Sequence, residues 1–155
     1  MKISYAILTH DEGEYIPALL EFLTKNKRDI DEIVIVDDFS QDETTLQTFE
    51  QYKDQIILEK RVFDGDHTQK NYLNSICSGD YIVQLDADEL ITEEFIKILP
   101  DILESNSDIE LYITPRINTV NDLTPEWTRK WGWVVNEKGW VNFPDWQMRI
   151  YKNCD

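Results

Sequence analysis

The sequence predicts an α/β protein with a mostly parallel sheet, helices on both faces and a small antiparallel portion after them. Three observations predict this. Short apolar segments alternate with helical patterns of about ten residues in the first two-thirds of the chain. The last third instead alternates apolar and polar residues and is rich in tryptophan. The length of 155 residues, 41% of them hydrophobic, suits one domain with its own core.

The elements of the first two-thirds follow one another in strand–helix order. Buried strands are predicted at residues 3–8, 32–36 and 81–85, and a short strand at 56–58. Helices are predicted at residues 14–24, 42–52, 68–77 and 92–103. Pro17 falls in the first turn of its helix, where proline is tolerated. Ser40 or Asp42 is the expected cap of the second helix, and Thr92 of the fourth.

The last third is expected to be antiparallel. Residues 110–116 alternate like a half-exposed strand, and residues 127–151 contain all five tryptophans. Within that stretch, Asn136-Glu137-Lys138-Gly139 is a hairpin signal. Most of the tryptophans are expected to be core residues. The chain is therefore interpreted as one domain, 1–155, with a first part at 1–106 and a second at 107–155.

The charge and composition exclude several classes of partner. With 15 basic and 31 acidic side chains, the formal charge is −16. Such a chain repels nucleic-acid phosphates, and charge alone would not hold it on an anionic membrane. No segment approaches the roughly 20 apolar residues of a membrane span, and no signal peptide is recognised. Two cysteines, Cys77 and Cys154, indicate a reducing compartment, so a cytoplasmic protein is expected.

Acidic residues follow three of the predicted strands. They are Asp11 and Glu12, Asp37 and Asp38, and the run from Asp86 to Glu89. Ligands of open parallel sheets bind at the carboxyl ends of the strands. Crowded carboxylates need shared protons, donors or a metal, and Mg²⁺ or Mn²⁺ is the simplest solution. The alternative is that these residues are helix caps and ordinary loop acids.

The motifs at these strand ends resemble those of the family 2 glycosyltransferases, which have the GT-A fold, a Rossmann-like α/β fold. The resemblance lies in Ile-Leu-Thr-His-Asp-Glu at 7–12, Val-Asp-Asp-Phe-Ser at 36–40, Gln-Lys-Asn at 69–71 and Leu-Asp-Ala-Asp-Glu at 85–89. It is closest to small bacterial enzymes that build lipopolysaccharide core or other surface glycans. It implies an inverting, metal-assisted hexosyltransferase that uses a nucleoside-diphosphate sugar, such as a UDP-sugar, and a glycan or other hydroxyl acceptor.

The resemblance also implies roles for single residues. Thr9 and Glu12 match positions that line the nucleotide pocket, and Asp11 stands where the family usually has Asn. Asp37 or Asp38 matches the acid that binds the nucleobase. Lys70 and its neighbour Asn71, on the helix predicted at residues 68–77, match the helix that approaches the donor. Asp86 and Asp88 match the Asp-x-Asp metal motif, in which the first acid lies near the ribose and the second binds Mn²⁺ or Mg²⁺.

The resemblance resumes at residues 143–151. Asp145 is the predicted general base, with Glu89 as the alternative, and Arg149 is predicted to contact phosphate or to pair with an acid. Trp146 is the preferred residue for stacking on a sugar because it adjoins Asp145. Family members are usually longer and often carry a metal-binding His after the Arg. The chain is therefore a minimal enzyme, a shortened one, or one whose acceptor site is completed by a partner or a second copy.

Three other functions fit parts of the pattern. A phosphoacceptor receiver domain and a phosphatase of the haloacid dehalogenase type both place acids after strands. In a receiver domain the acidic pair normally follows the first strand, whereas here a strand and a helix precede Asp37 and Asp38. In the phosphatase the Asp-x-Asp motif should open the domain, whereas here Asp86 and Asp88 lie in the middle of the chain. The third alternative is a module that binds a nucleotide sugar without turnover.

Overall fold

The computed structural model describes residues 1–154 and has six strands and five helices in this part of the chain. The strands are β1 (Ile3–Thr9), β2 (Glu32–Asp37), β3 (Ile57–Lys60), β4 (Tyr81–Asp86), β5 (Leu111–Asn118) and β6 (Val141–Lys152). The helices are α1 (Ile16–Asn26), α2 (Glu43–Tyr52), α3 (Asp66–Ile76), α4 (Glu93–Ser105) and α5 (Pro125–Trp131).

All strands belong to one sheet in the order β3-β2-β1-β4-β6-β5. The first four strands in this order pair in parallel, whereas β6 runs antiparallel to both β4 and β5. The predicted α/β class with a parallel sheet and an antiparallel addition is confirmed. In the register, Thr9 lies opposite Asp37 and Leu8 opposite Asp86, so β1, β2 and β4 end at the same edge.

Helices cover both faces of the sheet. On one face, α1 and α4 pack side chains such as Leu20 and Leu99 on Tyr5 and Val83. On the other, Leu73 of α3 belongs to a smaller cluster with Ala6, Val34, Val36 and Ile82. The strands of the parallel part are buried on both faces, which explains their continuous apolar sequences.

At the edge formed by the amino ends of the strands, the partly buried carboxylate of Glu32 links β1, β2 and the turn before β4. Glu32 at the start of β2 accepts hydrogen bonds from Ser4 Oγ at 2.6 Å and from the Ser78 amide at 2.6 Å. Its other oxygen pairs with Lys2 Nζ at 2.5 Å. Gly79 lies so close to β1 that a Cβ there would stand 2.6 Å from the Ser4 amide nitrogen. The turn before β4 is thus held tightly against β1 and β2.

The second part of the chain differs from its prediction in two respects. The turn at Asn136–Gly139 forms, with Gly139 at φ 78°, but its first arm contributes only the bridge between Val135 and Val141. The long partner of β6 is β5 instead. Helix α5 was not predicted, although Thr124 caps it, Pro125 opens it and Gly132 ends it. Its seven residues are too few for an apolar period.

The expectation that most tryptophans are core residues is wrong. None of the five is buried, and Trp127, Trp131 and Trp146 are each more than half exposed. The β5–β6 pair has one face without a helix over it, and α5 has no buried residue. Among residues 1–154, no helix has the length and apolarity needed to cross a membrane.

Candidate functional site

Two carboxylates at the end of β2, those of Asp37 and Asp38, hold the neighbouring loops in place through hydrogen bonds. Asp37 is fully buried and accepts hydrogen bonds from the Ser40 hydroxyl at 2.5 Å and the Ser40 amide at 3.2 Å. Asp38 is half-buried, and its Oδ1 accepts the Phe63 amide proton at 2.9 Å. The ring of His10 contacts the Asp38 carbonyl oxygen at 2.7 Å. Asp38 thus connects the loops that follow β1, β2 and β3.

Asp11 holds the loop between β2 and α2. Its Oδ1 accepts the amide protons of Gln41 at 2.6 Å and Asp42 at 2.8 Å. These backbone hydrogen bonds, the one from Asp42 first, lower the pKa of Asp11. Asp42 in turn caps α2 through the Thr45 amide. Asp11 therefore acts as a loop acid and Asp42 as a helix cap, which is the alternative to a metal site that the sequence left open.

Most carboxylates at this edge thus have protein donors and do not need a cation for their stability. Glu12 and Asp88 differ, because partial burial and then the negative charge of Asp88 raise the pKa of Glu12. Asp88 is exposed, and the ion pairs on this side of the edge are formed by its neighbours Asp86 and Glu89. Repulsion between neighbouring carboxylates is therefore found at Glu12, which lies near the negative charges of Asp88 and, to a smaller extent, Glu14.

A chain of alternating charges leads from β4 to the β5–β6 pair. Arg149 Nη2 lies 2.6 Å from Asp86 Oδ2 and also donates to Glu89 Oε1. Arg116 Nη1 lies 3.2 Å from the same Glu89 oxygen, and its Nε and Nη2 reach Asp145 Oδ2 at 2.9 and 2.7 Å. The structure thus joins the first metal-motif acid to both candidates for the general base.

Arg116 is the member of this chain that sequence reasoning missed. It lies directly across the strand pair from Asp145 in the β5–β6 register. Opposite charges at such cross-strand positions attract one another. The alternation of residues 110–116 was visible in the sequence, but the pairing of this strand with β6 was not.

The surroundings of Asp145 favour its ionised form. Hydrogen bonds from Asn118, Arg116 and Gln147, in that order of effect, lower the pKa of Asp145. The carboxylate is therefore ionised at neutral pH, as a proton acceptor must be, but it is a weaker base than a free aspartate. Its neighbour Trp146 points to the opposite face, since successive side chains of a strand alternate. Adjacency in the sequence therefore does not by itself bring Trp146 to the same side of the strand as Asp145, and its role in stacking on a sugar stays a prediction.

A cavity of about 500 Å³ opens between the end of β4, the start of α4 and the β5–β6 pair. Its polar wall includes Asp88, Glu89, Arg116, Asn118, Gln147 and Arg149. Its apolar wall includes Val83, Leu85, Ile91 and Phe95. The cavity therefore lies beside both the metal motif and the candidate bases.

Two buried polar atoms have no hydrogen-bond partner within residues 1–154: Thr9 Oγ1 at the end of β1 and Arg149 Nε. Buried polar groups are almost always paired, so these two atoms mark places where a ligand can supply the partner.

Lys70, which is half-buried on α3, and Asn71, which is exposed, were also predicted to approach a donor.

The donor set fits a magnesium-like ion that shares its ligands with phosphates. The described residues contain no group of three or more His, Cys, Asp or Glu side chains that would hold a metal by themselves. Mg²⁺ is usually bound by one or two carboxylates together with substrate phosphates. Asp88 offers such a carboxylate with Glu12 nearby, whereas Asp86 is engaged by Arg149.

Comparison with known proteins gives a consistent result. Residues 4–151 match the sequence model of the family described as Glycosyl transferase family 2. An uncharacterised glycosyltransferase of Rickettsia felis is 32% identical over 93 residues, which are 60% of this chain and 31% of that protein.

Solved structures share the fold. Staphylococcus aureus TarS 1–349 in complex with UDP-GlcNAc aligns with a TM-score of 0.63 and 25% identity, over 80% of this chain and 36% of that one. Glucosyl-3-phosphoglycerate synthase from Mycobacterium tuberculosis, in complex with Mn²⁺, UDP and glucosyl-3-phosphoglycerate, aligns with a TM-score of 0.58 and 20% identity, over 71% and 42% of the two chains. The chain thus spans about a third of the length of the relatives it matches first.

Proposed function

The chain belongs to glycosyltransferase family 2, and from this premise we propose that it moves a hexosyl group from a UDP-sugar to an acceptor hydroxyl with inversion at the anomeric carbon. The observation that carries the proposal is the common edge of β1, β2 and β4, where Thr9 Oγ1 is buried without a partner. On the β4 side of this edge, Asp88 and Arg149, whose Nε is also unpartnered, line the cavity. The UDP-GlcNAc complex of TarS, at 25% identity, supports the choice of donor.

We assign the donor to residues 1–106 and the acceptor side to residues 107–155. Asp38 is the better nucleobase ligand of the acidic pair, because Asp37 is fully buried and held by Ser40. Thr9 and Lys70 face the ribose and diphosphate in this proposal. Asp88, with Glu12 beside it, would hold Mn²⁺ or Mg²⁺, which neutralises charge on the diphosphate leaving group. Asp86 orients Arg149 rather than binding the ion.

Nucleotide binding can be tested without knowledge of the acceptor. We expect UDP and UDP-sugars to raise the melting temperature with Mn²⁺ present, and to do so much less without it, because ligands of the native state stabilise it by mass action. Other nucleoside diphosphate sugars serve as the comparison. The absence of a shift with every nucleotide would contradict the proposal. Binding without transfer to any glycan acceptor would instead indicate a non-catalytic module.

Asp145 is proposed as the general base, with Glu89 as the alternative. Asp145→Asn should lower the rate of sugar transfer by about 10²–10⁴-fold while UDP binding changes little, because a positioned base acts on the chemical step. The rate of UDP release, measured with an acceptor, checks this expectation. Since its neighbours lower the pKa of Asp145, the wild-type rate should hold down to a pH below the usual range of an aspartate.

The matched control is Glu89→Gln, which changes the other carboxylate bound by Arg116. If Glu89→Gln abolishes transfer and Asp145→Asn does not, the base is Glu89. If neither affects the rate, both assignments are wrong.

A further inference from the structure

Residues 127–143, here called the aromatic–basic segment, differ sharply from the rest of the chain. The segment holds four of the five tryptophans, and it has three basic side chains and one acidic one in a chain with a formal charge of −16. Its basic residues, Arg129, Lys130 and Lys138, are exposed. None of the three forms an ion pair within residues 1–154. The segment itself thus has a net charge of +2, and the acid directly before it on α5, Glu126, reduces the local excess to +1.

The apolar side chains of the segment lie next to one another. Trp127 and Trp131 are four residues apart on α5 and hence on the same helical face, and each is 56% exposed. Trp131 stacks on Trp133, with ring centroids 6.4 Å apart and an angle of 25° between the rings. Val134 follows and is 70% exposed. These four side chains present bulky apolar groups to solvent.

Two of the three basic groups lie beside tryptophan rings of the segment. Lys130 Nζ is 5.5 Å from the centroid of the Trp131 ring, and Lys138 Nζ is 4.6 Å from that of Trp140. Tryptophan with adjacent lysine or arginine is the composition favoured at membrane–water interfaces. There the rings lie at the level of the headgroups, and the cations attract anionic lipids.

We propose that the aromatic–basic segment docks the protein on the surface of an anionic lipid bilayer. The three exposed basic side chains of the segment are complementary to such a surface. Acidic groups elsewhere are screened once they are farther from the lipids than about 8–10 Å, so the net charge does not prevent docking. A glycan fits less well, because the ring of Trp131 is already contacted by Trp133 and Lys130. The proposal is independent of the proposed transfer reaction.

Vesicle binding tests the proposal with the full chain and no sugar donor. We expect the protein to co-sediment with vesicles of phosphatidylglycerol and phosphatidylcholine, and to bind pure phosphatidylcholine far more weakly. Added salt should weaken the binding. Lys130→Glu should lower the affinity by more than about fivefold, the factor that the loss of one basic group near an anionic surface gives, because the substitution also adds a negative charge. Replacing both Trp127 and Trp131 by Ala should remove most of the binding.

Two matched variants control for exposure and charge. Trp146→Ala removes a tryptophan of similar exposure, 58%, from β6, and Lys25→Glu makes the same charge change on α1. Both should bind vesicles as the wild type does, and circular dichroism checks that every variant is folded. The proposal is overturned if the wild type does not bind anionic vesicles, or if all four variants bind equally. Quenching of tryptophan emission by soluble glycans without vesicle binding would assign the surface to a glycan instead.

Discussion

Asp88→Asn is expected to abolish the part of UDP binding that depends on Mn²⁺ while leaving the fold intact. Asp88 is exposed, and its neighbours, not Asp88 itself, form the ion pairs with Arg149 and Arg116. The substitution therefore removes a carboxylate without breaking a contact of the folded chain. In the wild type, partial burial and then the negative charge of Asp88 raise the pKa of Glu12. The substitution removes this charge and therefore relieves the repulsion between the two carboxylates.

The size of the effect follows from mass action. A ligand present at 100 times its dissociation constant stabilises the native state by about 2.7 kcal/mol. For a domain of this size, that corresponds to a rise of roughly 5–10 °C in melting temperature. The wild type should show this rise with UDP and Mn²⁺ together. Asp88→Asn should show only the smaller rise that UDP gives without metal.

Two further variants make this result specific. Asp108→Asn changes an exposed acid beyond α4 and should behave as the wild type does. Asp86→Asn should lower the melting temperature even without ligand, because it removes the negative charge that lies 2.6 Å from Arg149 Nη2. A Mn²⁺-dependent shift that persists in Asp88→Asn would show that the metal is held elsewhere.

The sequence predicted the part of this site that depends on local order along the chain. Apolar strands ending in Thr9, Asp37 and Asp86 place those residues at one edge whenever the strands are parallel neighbours, and the register shows that they are. The pairing of Arg116 with Asp145 could not be predicted in the same way. It depends on which strand lies beside β6, and the sequence suggested a local hairpin around Gly139 instead.

The exposure of the tryptophans was beyond prediction for a related reason. Whether Trp127 or Trp131 is buried depends on which elements cover α5, and no buried residue of α5 was found. Composition favours burial for such large apolar side chains. The position of Trp131 beside Lys130, and of Trp140 beside Lys138, becomes visible only when the helix and the following turn are seen together.

Glu32→Gln is expected to lower the free energy of unfolding at neutral pH by about 2 kcal/mol. Burial by itself would raise the pKa of Glu32. The hydrogen bonds from Lys2, Ser4 and Ser78 outweigh this effect and lower the pKa to about 2. The side chain is only 10% exposed, so solvent screens these contacts little. The neutral amide cannot pair with the Lys2 ammonium and leaves that charge without its partner.

The dependence on pH distinguishes this explanation from a packing defect. A carboxyl group whose pKa is lower in the folded state contributes its full stability above its unfolded value, 4.5. That contribution is lost as the pH falls from 4.5 towards 2. The difference in unfolding free energy between wild type and Glu32→Gln should therefore be constant from pH 7 to about 5 and shrink towards pH 2. Urea unfolding at several pH values measures it.

Glu50→Gln is the matched control, because Glu50 pairs with Lys53 on the exposed surface of α2 and is itself 73% exposed. Surface pairs contribute about 0–1 kcal/mol, so this variant should be nearly as stable as the wild type at every pH. An unfolding difference for Glu32→Gln that stays the same down to pH 2 would mean that shape, not charge, explains the loss. A persistent difference of that kind would also remove the electrostatic reason for placing an acid where β1, β2 and the turn before β4 meet.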